Sequence, residues 1–312
     1  MKIADLYQKK TFVFSIEIFP PKNTESLERL KLKLEEFKCY HPDFISVTYG
    51  AGGSTRENTL ELASFIQNDL GIETMAHLTC VSQTRQEIEE VLEQFHQSGI
   101  ENLMALRGDP PSGEKCYQRP SGGFAYAVEL IQAVRSLNGF CIGAAGYPEG
   151  HVENPDKEAD LRKQLAKVEA GGDLLVSQFF LENEHFLKWR DRLRREGVEI
   201  PIIPGLLLPG SLESLSRMAG LCGVSIPLSL RKSLERNVID VDAIQEIVWD
   251  HLNGQTEELI SEGVQGVHLY ALNQLDTVRR FSNSLGRVPK KIVNIHATNQ
   301  ILPVISTAVS PT

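Results

Sequence analysis

Glu17 is the one ionisable residue in FSIEIFPP at 14–21. Strand alternation puts Phe14, Ile16 and Ile18 on one face and Val13, Ser15, Glu17 and Phe19 on the other. The bulky set belongs against a helical layer, so Glu17 is expected to point inward. A carboxylate there is costly to bury unless paired, and poor solvation raises its pKa and suits it to donate a proton. An ion pair with a neighbouring cation is the structural alternative. Arg107-Gly108-Asp109 follows an apolar run, and Gly108 lets the backbone approach a ligand, although a salt-bridged turn fits equally. His77 lies midway along apolar AHLTC, where a lone histidine is more often a core residue. His151 and Asp160, nine residues apart, lack metal-ligand spacing, and there is no His-x-x-x-His or Cys/His cluster, so no metal is expected. Gly-x-Gly-x-x-Gly after the first strand, the Gly-x-Ser-x-Gly elbow and the P-loop are all absent. Rossmann-type dinucleotide binding, hydrolysis and phosphoryl transfer lose ground accordingly.

The elements that must position these residues alternate. Apolar runs at Phe12–Phe19, Phe44–Thr48, Thr74–Cys80, Asn102–Leu106, Cys141–Tyr147, Leu174–Phe179, Ile200–Leu206 and Val264–Tyr270 read as strands. Helical periodicity lies between them, as at Leu27, Leu30, Leu34 and Phe37, with capping-box spacing at Ser54/Glu57 and Thr84/Glu87. Glycines such as Gly139, Gly171, Gly197 and Gly263 stand just before strands. Eight strand–helix units require a parallel sheet and favour an α/β fold closed as a (β/α)8 TIM barrel over an open doubly wound sheet. The barrel is expected over 1–286, with an extra helix around Val241–Leu252 before strand eight and a C-terminal appendage over 287–312. In such a barrel chemistry sits at the C-terminal strand ends. Those ends here carry Glu17, Thr48, Tyr49, His77, Arg107, Asp109, Tyr147 and Gln178.

Composition sets outer limits. The 312 residues are 41% hydrophobic and 23% charged, a balance that supports a large core. A net charge of −9 lacks the footprint of a nucleic-acid or anionic-membrane binder. No apolar run approaches the ~20 residues of a membrane span, and Met1–Thr11 reads as a polar lead rather than a secretory signal. Five scattered cysteines (Cys39, Cys80, Cys116, Cys141, Cys222) with no Cys-x-x-Cys pair point to reduced thiols and a cytoplasmic location.

Taken together, FSIEIFPPK (14–22), ISVTYGAGGSTRENT (45–59), AHLTC (76–80), ALRGDPP (105–111), AAGYPEGH (144–151), SQFF (177–180) and LYALN (269–273) resemble the methylenetetrahydrofolate reductase family. The segments fall in order from strand one to strand eight. The resemblance implies FAD as cofactor and reduction of 5,10-methylenetetrahydrofolate to 5-methyltetrahydrofolate by ping-pong hydride transfer through flavin N5. It makes Glu17 the general acid and places Asp109 between flavin and pterin. Thr48, Tyr49, His77, Arg107, Gly108, Asp109, Tyr126, Ala127, Tyr147, His151, Asp160 and Lys167 match cofactor-binding positions. Glu17, Asp109 and Gln178 match substrate contacts, and Gln274 stands where the family often has an arginine that meets the folate tail. Leu208, Leu212, Val152 and Ala166 also depart from the family pattern. The implied donor is NAD(P)H or a partner subunit, in a homo-oligomer or hetero-complex. Two other readings are a flavin-free barrel lyase using Glu17 and Asp109 as an acid–base pair, and an FAD-binding subunit of a larger electron-transfer complex.

Overall fold

β-Branched runs and amphipathic helices alternate through the computed structural model of the chain, which describes residues 1–50, 56–110, 117–137, 139–208 and 211–286. The strands are β1 (Val13–Ile18), β2 (Phe44–Val47), β3 (Glu73–Thr79), β4 (Asn102–Leu106), β5 (Cys141–Gly146), β6 (Leu174–Ser177), β7 (Ile202–Ile203), β8 (Gly205–Leu207) and β9 (Gly266–Tyr270). All pairings are parallel, in the order β7-β6-β5-β4-β3-β2-β1-β9-β8. The helices are α1 (Ile3–Lys9), α2 (Thr24–Phe37), α3 (Arg56–Ser64), α4 (Arg85–Gln97), α5 (Ala127–Ser136), α6 (Lys157–Glu169), α7 (Asn183–Arg195), α8 (Leu212–Cys222), α9 (Leu228–Arg236), α10 (Val241–Ser261) and α11 (Leu275–Ser284). Phe14, Ile16 and Ile18 join the layer packed under the helices, as alternation requires. The Thr84/Glu87 capping box forms, and the strand-preceding glycines take positive φ.

Three expectations need correction. The seventh strand is not continuous. Pro204, which has no N–H to donate, breaks it into β7, paired with β6, and β8, paired with β9. The ring of strands therefore closes across a single proline, whose carbonyl still accepts from the His268 amide at 3.0 Å. Gly205 follows because nothing larger fits: a Cβ there would lie 2.2 Å from the Ser177 carbonyl oxygen. Second, the polar lead contains α1, whose Ile3, Leu6 and Tyr7 pack against Val13, Phe44, Met75, Met104 and Leu174 at the end of the barrel where the strands begin. Third, residues 225–262 hold two helices rather than one. Leu230 and Leu234 of α9 and Ile244 and Val248 of α10 form a small core with Phe179, Leu181 and Leu207, buttressing the opposite end. The expected cap at Ser54, residues 111–116, Pro209 and the 287–312 appendage lie outside the described residues. Among the described residues no helix is long and apolar enough to cross a membrane.

Candidate active site

A cavity of about 430 Å³ opens at the C-terminal ends of the strands, within the usual range of small-molecule sites (~300–1,000 Å³). Glu17 lines it, facing inward as alternation predicts, with its side chain 19% exposed. Its Oε2 is 3.2 Å from His77 Nε2 and 3.5 Å from His268 Nε2, and accepts from Ser46 Oγ at 3.3 Å. No arginine or lysine pairs with it among the described residues. The expected raised pKa is not found. Burial pushes the carboxyl up, but the charge of His77 and the hydrogen bond from His268 outweigh it and hold the group down to about 2.

The β3 and β4 ends supply the next wall. Among the described residues His77 Nε2 and Thr79 Oγ1 are buried without a partner of hydrogen-bonding geometry, and both residues line the cavity. Thr48, Tyr49 and Gly108 line it too, with the Tyr49 hydroxyl donating to Gln83 Oε1 at 3.3 Å. Gly108 has φ +85°, and a Cβ there would meet Val81 Cγ1 at 2.8 Å, so only glycine fits this turn. Asp109 sits beside it at the rim. Arg107 spends its fork on Glu153, at 2.6 and 2.9 Å. The salt-bridged turn weighed from sequence is thus present, inside a cavity wall.

β5 and the loop after it complete the site. Tyr147 and His151 line the cavity with their rings edge to face at 4.7 Å. Burial raises the Tyr147 hydroxyl to about 12. Lys167 donates to the Ala145 carbonyl at 2.8 Å behind Tyr147, and burial lowers it to about 8. Asp160 is buried and does not line the cavity. Its Oδ2 accepts from the His151 amide at 3.2 Å and from Gln164 at 2.7 Å, so it positions the loop. Gln178 lines the cavity, its Oε1 accepting from the Phe179 amide at 2.9 Å.

Besides Asp160 and Lys167, which stand behind the wall, three of the positions named from sequence lie off the cavity lining. Tyr126, 58% exposed, and buried Ala127 stand at the start of α5 and do not line the cavity. Gln274 caps α11 and lines a neighbouring groove of about 640 Å³ with Lys33 and Arg280. Sequence reading missed several residues that the fold brings in: His268, Ser46, Tyr270, Cys222 and Leu272. Alternation along GVHLY would have turned His268 and Tyr270 inward together. Asn273 was also missed. It is held at φ +58° and makes a two-point clamp on the backbone of Phe19, at 3.0 and 2.9 Å, fixing the strand end that carries Glu17.

The family profile described as methylenetetrahydrofolate reductase matches residues 2–286. Methylenetetrahydrofolate reductase (NADH) 1 of Arabidopsis thaliana is 37% identical over 87% of this chain and 48% of its own length. The 5,10-methylenetetrahydrofolate reductase of Salmonella typhimurium is 32% identical over 88% of this chain and 91% of its own. The chain spans about half the length of the plant relatives it matches. A Clostridium thermocellum protein, described as uncharacterised and binding two copies of 5-methyl-5,6,7,8-tetrahydrofolic acid, shares the fold with a TM-score of 0.53 at 15% identity, covering 89% of this chain and 98% of its own. On the reach of that profile and those identities, the chain belongs to the methylenetetrahydrofolate reductase family.

Proposed function

We propose that this chain is an FAD-dependent reductase that converts 5,10-methylenetetrahydrofolate to 5-methyltetrahydrofolate, with Glu17 as general acid. The observation that carries the reading is the inward Glu17 carboxylate, flanked by two imidazoles in one cavity with Asp109 and Gln178. The residues fit the cofactor. Thr79 Oγ1, which has no hydrogen-bond partner among the described residues, offers a polar contact to a ring system, Tyr147 and His151 give it aromatic surface, and Gly108 admits backbone approach. Arg107 and Lys167 provide positive charge for phosphate, with Arg107 exchanging Glu153 for it. Tyr126 and Ala127 offer the first turn of α5 to the remainder. FAD, when bound, supplies hydride at N5, which no side chain can do.

The chain's own part is acid–base work and placement. Methylenetetrahydrofolate must open its imidazolidine ring before the one-carbon unit can accept hydride, and a proton on the leaving nitrogen lowers that barrier. Glu17 delivers it. Bound ligands, by excluding water from the carboxyl, would raise its proton affinity from the low value it has in the free chain. Asp109 and Gln178 orient the pterin from the rim, and Gln274 is left to the tail of the folate from the adjoining groove. The word NADH in the plant relative's name supports a nicotinamide donor, with a partner subunit as the alternative source.

Glu17→Gln tests the reading in a stopped-flow instrument. Flavin reduction by NADH or NADPH is expected within about threefold of the parent, while reoxidation by methylenetetrahydrofolate slows by about 10²–10⁴-fold. Equal loss in both half-reactions would sink the assignment of Glu17.

A further inference from the structure

Behind Glu17, on the barrel axis, lies a second histidine. His268 is fully buried, its ring stacked on Phe44 with centroids 6.0 Å apart and edge-on to Tyr270 at 5.3 Å. Its Nδ1 is 2.8 Å from Ser15 Oγ, and Ser15 Oγ is 3.2 Å from the Val267 carbonyl oxygen. A carbonyl can only accept, so the Ser15 hydroxyl donates to it and receives the proton of Nδ1. Nε2 is then the nitrogen that can gain or lose a proton. It faces Glu17 Oε2 at 3.5 Å and Ser46 Oγ at 3.3 Å, and Ser46 itself donates to Glu17 at 3.3 Å.

A carboxyl held at about 2 carries almost no proton at neutral pH, yet a general acid must arrive protonated. Some neighbour has to keep that proton. The titratable groups facing Glu17 are His77 from β3, with His268 and Tyr270 from β9. His77 lines the cavity and meets Glu17 without hydrogen-bond geometry. Tyr270 is committed, its hydroxyl donating to the Ser177 carbonyl at 2.7 Å. His268 is the group with both nitrogens oriented, and it does not line the cavity where ligands bind.

We propose that His268 is a positioning residue that stores the proton Glu17 delivers, its tautomer fixed by Ser15. This rests on the reading of Glu17 as general acid. With the cavity open, the pair is carboxylate and imidazolium. When ligands exclude water, a neutral pair loses less on desolvation than an ion pair. The Nε2 proton then passes to Glu17, directly or through the Ser46 hydroxyl, and the imidazole is left neutral with its proton on Nδ1. Glu17 gives that same proton to the leaving nitrogen as the carbon–nitrogen bond breaks and its electron pair moves to nitrogen. One proton leaves His268 and one arrives on the substrate. Solvent restores it through Glu17 once the cavity reopens.

Two measurements test this. In ¹⁵N spectra of the apoprotein followed to high pH, His268 is expected to lose its Nε2 proton and leave the Nδ1–H tautomer, shifting to a mixture in Ser15→Ala. An Nε2–H tautomer in the parent overturns the proposal. In rapid mixing, His268→Gln is expected to leave flavin reduction by NADH or NADPH within about twofold. It should slow reoxidation by methylenetetrahydrofolate about 10–100-fold and flatten the pH profile of that step. Equal loss in both half-reactions with an unchanged pH profile means a structural role only and overturns it. If His268→Gln fails to fold, the tautomer result and a slower, reshaped reoxidation profile in Ser15→Ala decide the matter. The underlying reading fails separately, if Glu17→Gln keeps its folate step. If Glu17→Gln loses that step while His268→Gln keeps both rate and pH profile, this inference alone fails.

Discussion

Lys167 and Arg107 carry the same formal charge in different physical states, and pH separates them. Arg107 is bound to Glu153, and that hydrogen bond raises its pKa, so it stays charged throughout. Lys167 lies on the Ala145 carbonyl behind the Tyr147 ring, and burial lowers it to about 8. Above that pH the free chain holds Lys167 neutral. A phosphate placed beside it favours the charged form, so binding must then take up a proton. The sign follows: if FAD is the cofactor as proposed, its affinity is expected to be highest below pH 8 and to fall as pH rises through it. Titrating the apoprotein with FAD should show Kd rising about 3–10-fold between pH 7.5 and 9.5. Lys167→Met should bind more weakly at neutral pH and lose most of that slope. A slope that persists in the variant would place the titrating group elsewhere.

The loop after β5 is held from outside the barrel by two helices. Gln164 of α6 accepts from the Tyr147 amide at 2.9 Å and from the Trp189 indole N–H at 3.0 Å, and donates to Asp160, which takes the His151 amide. Trp189 of α7 lies so close that a Cβ at Gly146 would be 2.3 Å from its ring. Gly146→Ala should therefore cost about 1–3 kcal/mol in urea unfolding and loosen FAD binding. Trp189→Phe removes the outer ring, so the double variant should lose at least ~0.5 kcal/mol less than the two single losses added. Strict additivity would mean the glycine is needed for something other than room. The loop was legible as AAGYPEGH and the inward Glu17 as alternation, because both are local in sequence. The props were not. Trp189 looks like an ordinary amphipathic-helix residue, and His268 looks like core filler in an apolar strand, its partner Glu17 lying 251 residues away. The broken seventh strand was hidden because IPIIPG reads as one apolar run until the ring has to close at Pro204.

At the scale of the whole molecule the two ends of the barrel do different work. The end where the strands finish opens the cavity and leaves Thr79 Oγ1 without a hydrogen-bond partner among the described residues, a cost that a ligand can offset. The other end is closed by α1, whose seven residues gave too short a periodic signal to stand out in a polar lead. Leu6 is the centre of that plug, 3% exposed, in the cluster formed with Val13, Phe44 and Met104. Leu6→Ala should leave a cavity there and cost about 2–5 kcal/mol. At about 2–4 °C per kcal/mol for a large domain, the melting temperature of the apoprotein should fall by about 4–20 °C. The mouth is formed by other residues, so at 20 °C the Kd for FAD and the rate of flavin reduction should stay within about twofold of the parent. Calorimetry and a cofactor titration on one preparation check both halves. If Leu6→Ala weakens FAD binding tenfold while the protein remains folded, the floor and the mouth are one cooperative unit, and Glu17 owes its placement to α1 as well as to β1 and Asn273.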